Sequence, residues 1–462
     1  MKNNKLSLAS YITVGSMLFG LFFGAGNLIF PVHMGQEAGA STLMATIGFI
    51  LTGVGLPFLG VVAIGFSKSN GLYDLASRIT PAYGLFFTMV LYLTIGPFFA
   101  LPRTATVSFE IGLTPFLSEN QYTIALLIFT ILFFLLAWIL SLNPSNIMMW
   151  IGKVLNPLFL IFLAFLIISA FIGPMGEIEP LAVQPSYQQS PFFKGFTEGY
   201  NTMDVLASLA FGIIVVNAIK SFGVTNTTDI AKDTFKSGII SLILMSVIYG
   251  CLAYIGAMSL NAYPLSANGG IALAQIATYY FGAYGSTLLA IIITVACLKT
   301  AIGLICACAE MFNQLFPKIA YRTFVHLFSL ISMLIANVGL TAIISISIPV
   351  LMFLYPLAIT LVFLAFASPL FHHKKIVYQV TIGFTFVIAV VEGLKASSEI
   401  ISQNSIVLSI TSFFDHLLPL SDVNMGWILP ALAGFVIGWG IMLLQSNRTK
   451  QKTSLSSVTD KQ

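Results

Sequence analysis

The chain has 462 residues, of which 58% are hydrophobic and only 8% charged, and its mean hydropathy is +0.96. Soluble domains carry about 25% charged residues. A chain this poor in charge cannot clothe itself for water, so its solvent is largely lipid; a soluble enzyme domain and a nucleic-acid-binding surface are excluded. The net charge of +4 matters only through where the charges fall.

Residues 1–9 read as a short cytoplasmic segment. Lys2 and Lys5 precede an apolar stretch from Ser10, with no cleavable leader pattern, so the stretch reads as a helix that stays. A bilayer core needs about 20 apolar residues per helix. By that measure twelve spans follow: 10–33, 39–66, 82–110, 122–141, 147–172, 196–219, 233–260, 285–312, 322–338, 341–369, 376–393 and 424–445. They group as five spans (10–172), an external loop (173–195), five further spans (196–369) and two carboxy-terminal spans (370–446). The polar tail 447–462 reads as cytoplasmic and disordered. With the amino terminus inside, sixteen of the twenty Lys and Arg residues fall at the cytoplasmic face. Lys194 and Lys395 fall outside, and Arg103 and Lys299 lie within spans. That asymmetry predicts an N-in, C-in topology.

The first span contains GLFFGAGNLIFP at 20–31, where three glycines, an asparagine and a proline crowd a dozen residues. Gly20 and Gly24, four apart, also suit close helix packing. Gly26, Asn27 and Pro31 add to them the marks of an interrupted helix. An echo lies in the sixth span, where LAFGIIVVNAIKSFG (209–223) aligns with LFFGAGNLIFPVHMG (21–35) through Leu21/Leu209, Phe23/Phe211, Gly24/Gly212 and Gly35/Gly223. A repeat of five helices must enter the membrane from the opposite side in its second copy. Such inverted repeats, with broken helices at corresponding positions, mark secondary transporters. A break frees N–H and C=O groups that hydrocarbon leaves unsatisfied, so it must line a polar cavity. Half-helix amino ends suit a carboxylate and free carbonyls suit an ammonium or a cation.

The runs MLFGLFFGAGNLIFPVHMGQEAG (17–39), GPFFALPRTATVSFEIG (96–112), GFTEGYNTMDVLASLAFGIIVVNAI (195–219) and ACLKTAIGLICACAEMF (296–312) resemble the bacterial branched-chain amino acid carrier family, cation symporters for leucine, isoleucine and valine. The resemblance extends over nearly all twelve spans. It implies an all-α membrane protein of the leucine-transporter fold, with five-plus-five inverted helices and two more, in the bacterial cytoplasmic membrane. It further implies uptake usually driven by Na+, with no cofactor beyond the coupling cation, which one departure from the family leaves as Na+ or H+. By the same resemblance, Phe22, Ala25 and Gly26 offer backbone groups to the substrate and Asn27 its amide. SLAFG (208–212) matches the break in helix six, where Ser208 is polar and Phe211 packs on the aliphatic side chain, and Leu304 is a further wall. Without the resemblance, Phe211 and Leu304 read as helix-packing residues.

The family's second sodium site would draw on the carbonyls of Gly20, Phe23 and Ala296 and on a hydroxyl pair at 299–300. Here the pair is Lys299-Thr300, so one sodium ligand has become an ammonium. An ionisable group at that depth costs about 2.5–3.5 kcal/mol and is a functional residue by default. Three readings stand open. The ammonium takes the place of sodium, making coupling proton-driven or sodium-independent; or it snorkels and sodium binds elsewhere, near Asn27; or it pairs with Asp204 or Glu310.

Arg103 and Glu110, seven apart on one helical face, suit either an outer gate network or a pair at headgroup level. Asp204 is placed to cap the sixth-span break or to act on the substrate amine indirectly, and snorkelling accounts for Lys153. The cysteines Cys251, Cys297, Cys306 and Cys308 lie in apolar runs and suggest neither disulfides nor a metal centre, and none of the five histidines has metal-ligand spacing. No nucleotide loop, nucleophile elbow or zincin motif points to an enzyme. Alternatives are a carrier of other neutral amino acids or a nucleobase on the same fold and, in another class, a non-transporting amino-acid sensor. Oligomeric state is not readable from the sequence.

Overall fold

A computed structural model describes residues 6–142, 147–224 and 226–459. The described residues are helical at each of the twelve apolar stretches. Nine helices among them are long and apolar enough to cross a membrane, and four shorter apolar helices accompany them (Leu8–Phe22, Leu160–Ile172, Tyr321–Ala336 and Ser405–Leu417). Chains of exposed leucine and isoleucine, such as Ile124, Ile128, Leu132 and Leu135, face outward where a water-soluble protein would place polar groups.

In chain order the principal helices are α1 (Leu8–Phe22), α2 (Ala25–Ala38), α3 (Thr42–Ile50), α4 (Leu56–Phe66), α5 (Pro81–Leu93), α6 (Ala100–Gly112), α7 (Glu119–Leu142) and α8 (Ile147–Ile172). They continue with α9 (Pro191–Glu198), α10 (Asp204–Ser221), α11 (Thr227–Met258), α12 (Gly269–Leu315), α13 (Tyr321–Ala336), α14 (Leu340–Ala367), α15 (Lys375–Lys395), α16 (Ser405–Leu417) and α17 (Ile428–Thr459). Polar side chains start several of them. The Thr80 hydroxyl accepts from Tyr83 N–H at 3.1 Å, with Pro81 at the first helical position. The Asn268 amide oxygen accepts from Gly270 N–H at 2.9 Å and Ile271 N–H at 3.1 Å. Each satisfies donors that a helix start leaves open.

Several spans are not straight. A π-helical turn at Leu51–Gly55 joins α3 to α4, and another at Thr94–Phe98, with Gly96 out of helical geometry and Pro97 beside it, joins α5 to α6. Proline removes a helical hydrogen bond and explains the second kink. Gly282 (φ 61) bends α12, so the stretch read as starting at 285 follows a preceding helical arm of the same helix. The loop at 173–195 contains the start of α9, and α16 lies in the polar break at 394–423. The tail read as disordered continues the helix of α17 to Thr459, with residues 460–462 outside the described set. Extending an existing helix is far cheaper than nucleating one.

Two glycine contacts set how closely the helices around the middle of the bundle approach. A Cβ on Gly35 of α2 would lie 2.0 Å from Ala253 O of α11, and one on Gly256 of α11 would lie 2.1 Å from Val32 O of α2. The same reciprocity joins α3 to α9, through Gly48 against Phe192 O and Gly195 against Ala45 O, each at 2.0 Å. Small residues allow membrane helices to meet backbone to backbone, where dispersion rather than burial from water holds them. Gly35→Ala is expected to destabilise the protein by about 1–3 kcal/mol, read as a lower thermal midpoint in detergent. Gly440→Ala, whose added carbon meets nothing within 4 Å, should leave the midpoint unchanged or raise it; equal losses in both would refute the close-contact account.

Candidate functional site

The first break is where its composition suggested. α1 ends at Phe22, Phe23 and Gly24 are extended, and α2 starts at Ala25. The Asn27 side chain reaches back to close the gap, its Oδ1 accepting from Gly24 N–H at 2.8 Å. Pro31, inside α2, cannot donate to the Asn27 carbonyl.

The second break differs from the expected one. The segment 208–212 lies inside the continuous helix α10, and the chain breaks earlier, at Met203, between a 3₁₀ turn (Gly199–Thr202) and Asp204. Met203 is left-handed (φ 62, ψ 12), a conformation that a non-glycine residue holds at a cost of about 1–3 kcal/mol. Side chains again take up freed backbone groups: Arg103 Nη1 donates to Asn201 O at 2.8 Å and Asp204 N–H to Thr202 Oγ1 at 3.3 Å. The echo of 21–35 in 209–223 therefore set Gly24 beside Gly212, whereas the breaks set it beside Met203.

The two breaks are tied to each other. Asn27 Nδ2 donates to Asp204 Oδ2 at 2.6 Å and also to the Tyr249 hydroxyl, and Tyr249 in turn donates to Asp204 Oδ2 at 3.2 Å. α2, α10 and α11 thus meet in one buried polar knot. Tyr249 was not anticipated, although a tyrosine within the apolar run VIYGCLAYIGAM needs a partner for its hydroxyl.

Beside the knot lies a cavity of about 60 Å³. Phe22, Gly24, Gly26 and Asn27 line it from the first break, and Thr202, Met203 and Asp204 from the second. Phe211, Leu304 and Ile95 make its apolar wall, and Arg103 faces it from α6. Ala25 opens α2, its side chain outside the described ones. Ser208 is not on the wall: its hydroxyl donates to Val205 O at 2.7 Å and packs on Gly60, where a Cβ would lie 2.0 Å from Ser208 Oγ.

A second, smaller cavity of about 20 Å³ adjoins the first, with Gly24 and Thr300 lining both. Gly20 faces it from α1 and Phe23 from the break that follows, and Ala296, Lys299 and Thr300 from α12. The Thr300 hydroxyl donates to Ala296 O at 3.1 Å. All five residues singled out for a cation site therefore surround one space. Arg103 and Glu110 do not pair: Arg103 sits 4.9 Å over the Phe30 ring, and Glu110 Oε1 accepts from the Tyr122 hydroxyl at 2.7 Å. The Lys153 side chain lies outside the described ones.

A lipid-facing helical bundle that breaks two helices around one enclosed polar-and-apolar cavity is built as a membrane carrier of small molecules. The comparisons with known proteins agree. The family model described as branched-chain amino acid transport protein matches residues 7–445, and the chain belongs to that family. It is 47% identical over 435 residues to the branched-chain amino acid permease BrnQ of Lactobacillus delbrueckii subsp. lactis, covering 94% of this chain and 97% of the relative. Identity to BrnQ of Bacillus subtilis is 46% over 448 residues (97% and 99% covered), and to BraB of the same organism 42% over 453 residues (98% and 100%). The fold matches the solved inward-facing conformation of Mhp1 with a TM-score of 0.57 at 13% identity, over 95% of this chain and 91% of that one. The protein is a multi-pass permease of the bacterial plasma membrane and not an enzyme.

The knot has a thermodynamic signature. In a double-mutant cycle of Asn27→Ala and Asp204→Ala, followed by thermal unfolding in detergent, the two losses are expected to be non-additive by about 0.5–3 kcal/mol. Strict additivity would mean that the two breaks are held independently.

Proposed function

We propose that this chain is a secondary transporter that imports leucine, isoleucine and valine by cation-coupled alternating access. In this reading the chain crosses the membrane twelve times, with both termini cytoplasmic, and its first ten spans form a five-plus-five inverted repeat. The observation that carries the reading is the convergence of both helix breaks on one cavity with an apolar wall. The amino end of α2 presents N–H groups and a positive dipole end to the substrate carboxylate. Carbonyls left by the ends of α1 and of the 3₁₀ turn, together with the Asp204 carboxylate, face the ammonium. Phe211, Leu304 and Ile95 receive a branched aliphatic side chain. Those three side chains offer no hydrogen bond to a polar side chain, and a wall of this kind discriminates by shape and by the number of methylenes, a factor of about 10–200 per methylene.

Coupling is assigned to the smaller cavity. There the Lys299 ammonium takes the position that a cation would fill against the α1 carbonyls, tethered to α12 rather than drawn from solution. The favouring observation is that Lys299 lines that space together with Gly20, Phe23 and Ala296. A sodium ion is then unnecessary, and proton exchange on the lysine couples uptake to the proton gradient.

The test is uptake of labelled leucine into proteoliposomes, with sodium and proton gradients imposed separately. Isoleucine and valine should compete, polar amino acids should not, and a proton gradient alone should drive accumulation. Lys299→Thr should make uptake respond to sodium. Strict sodium dependence in the wild type would remove the lysine assignment, and leucine binding without counterflow would indicate a sensor instead.

A further inference from the structure

Positive charge gathers around another cavity, of about 610 Å³, at one end of the bundle. Three candidate membrane spans stop or start there, one ending at Phe66, one starting at Thr228 and one ending at Phe371. The cavity therefore lies where three apolar helical segments end. Lys68, Lys232, Lys236 and His373 line it, with Phe66 and Phe235 beside them. All four basic residues are exposed, and no carboxylate is on the wall. The ion pairs found among the described residues are Lys194–Glu198 and Lys395–Asp415, so neither of these neutralises the three lysines. Asp233, between Lys232 and Lys236, is buried and accepts from the Tyr11 hydroxyl at 2.6 Å.

Three further observations mark the place as built for an anion. Thr228 on the cavity wall belongs to the first turn of the 32-residue helix α11, whose amino end adds positive potential, offset in part by Asp229 in the same turn. The side chains of Lys68 (φ 59) and His373 (φ 55) are presented from left-handed backbone, which non-glycine residues adopt mainly where the surroundings impose it. Burial pushes the His373 imidazole below its ordinary value, and the nearby charges of Arg78, Lys68 and His372 push it the same way.

The geometry points to an anionic-phospholipid site, with a phosphate headgroup among Lys68, Lys232 and Lys236 and an acyl chain passing Phe66 and Phe235 into the bilayer. Basic pockets between membrane helices recognise such headgroups. The two rings decide for a lipid over a free phosphate. Phe66 is 39% and Phe235 45% exposed, and a free phosphate would leave both uncovered, whereas a lipid tail covers them. The site is separate from the central cavities, and it adjoins the start of α1: Lys236 lies 5.8 Å from the Tyr11 ring.

The full chain is placed in phosphatidylcholine nanodiscs containing a trace of spin-labelled phosphatidylglycerol or, in parallel, spin-labelled phosphatidylcholine, and the bound fraction of each is read. Wild type should enrich phosphatidylglycerol. The series Lys232→Gln, then Lys232→Gln with Lys236→Gln, then all three with Lys68→Gln, should lose preference by roughly fivefold per lysine. A control triple of Lys318→Gln, Lys374→Gln and Lys375→Gln removes equal charge outside the cavity and should keep the preference. Unchanged thermal midpoints show that each variant is folded, as expected for exposed side chains. No enrichment in wild type, or equal loss in the two triple variants, overturns the site. Inorganic phosphate displacing the labelled lipid as well as unlabelled phosphatidylglycerol does overturns the lipid assignment.

Discussion

The hydrogen bond from Asn27 to Asp204 is the constraint on which the centre of this protein depends. Each helix break frees backbone groups inside a lipid-facing bundle, where an unmatched group costs several kcal/mol. The first break is held because Asn27 Oδ1 takes the Gly24 N–H, and the same side chain then spends its NH₂ on Asp204 and Tyr249. One amide therefore satisfies a broken helix and joins it to the other broken helix. Neither a hydroxyl nor a carboxylate can do both, because only an amide carries an acceptor and two donors on one planar group.

The glycine contacts complete that arrangement from the outside. Gly35 and Gly256 bring α2 against α11, so that Tyr249, about two turns before Gly256, reaches Asn27 and Asp204. Gly48 and Gly195 hold α9 against α3, fixing the segment that leads into the second break. With α9 pinned, the turn at 199–202 has little freedom, and Met203 is left to absorb the change of direction in a left-handed conformation. Backbone strain at Met203 is thus sustained by close packing a few residues away.

How much of this was legible depended on which residue types mark a break. GAGN followed by Pro31 departs so far from an ordinary span that the interruption between Phe22 and Ala25 could be read directly. The second break carries neither glycine nor proline. It lies in NTMD at 201–204, at the polar edge of an apolar run, where a span flank and a helix break look alike. The glycine of SLAFG drew the reading two turns too far, and Gly212 instead packs on Ile64. Lys299 was legible because a charge at mid-span is expensive wherever it points. Tyr249 was hidden by the many tyrosines that end at interfaces, and its role emerges only when α11 is laid beside α2.

Charge makes the last link between this architecture and the proposed coupling. The larger cavity is faced by one guanidinium, Arg103, and one carboxylate, Asp204, and the smaller by one ammonium, Lys299. A zwitterionic substrate adds one charge of each sign and leaves the sum unchanged, so the field at Lys299 is altered by where those charges sit rather than by their total. Gly24 lines both cavities, so a substrate carboxylate at the amino end of α2 would lie nearer the lysine than a substrate ammonium beside Asp204 would. Binding would then favour the charged lysine, and departure of the substrate would release that preference. A carrier that must bind proton and substrate together needs this kind of mutual stabilisation, because linkage requires each ligand to strengthen the other by the same factor. A free sodium ion would achieve it by entering the site. In the proposed reading, a tethered ammonium would do so by changing protonation in place, and the coupling would then rest on the one side chain that lines the smaller cavity beside Gly24.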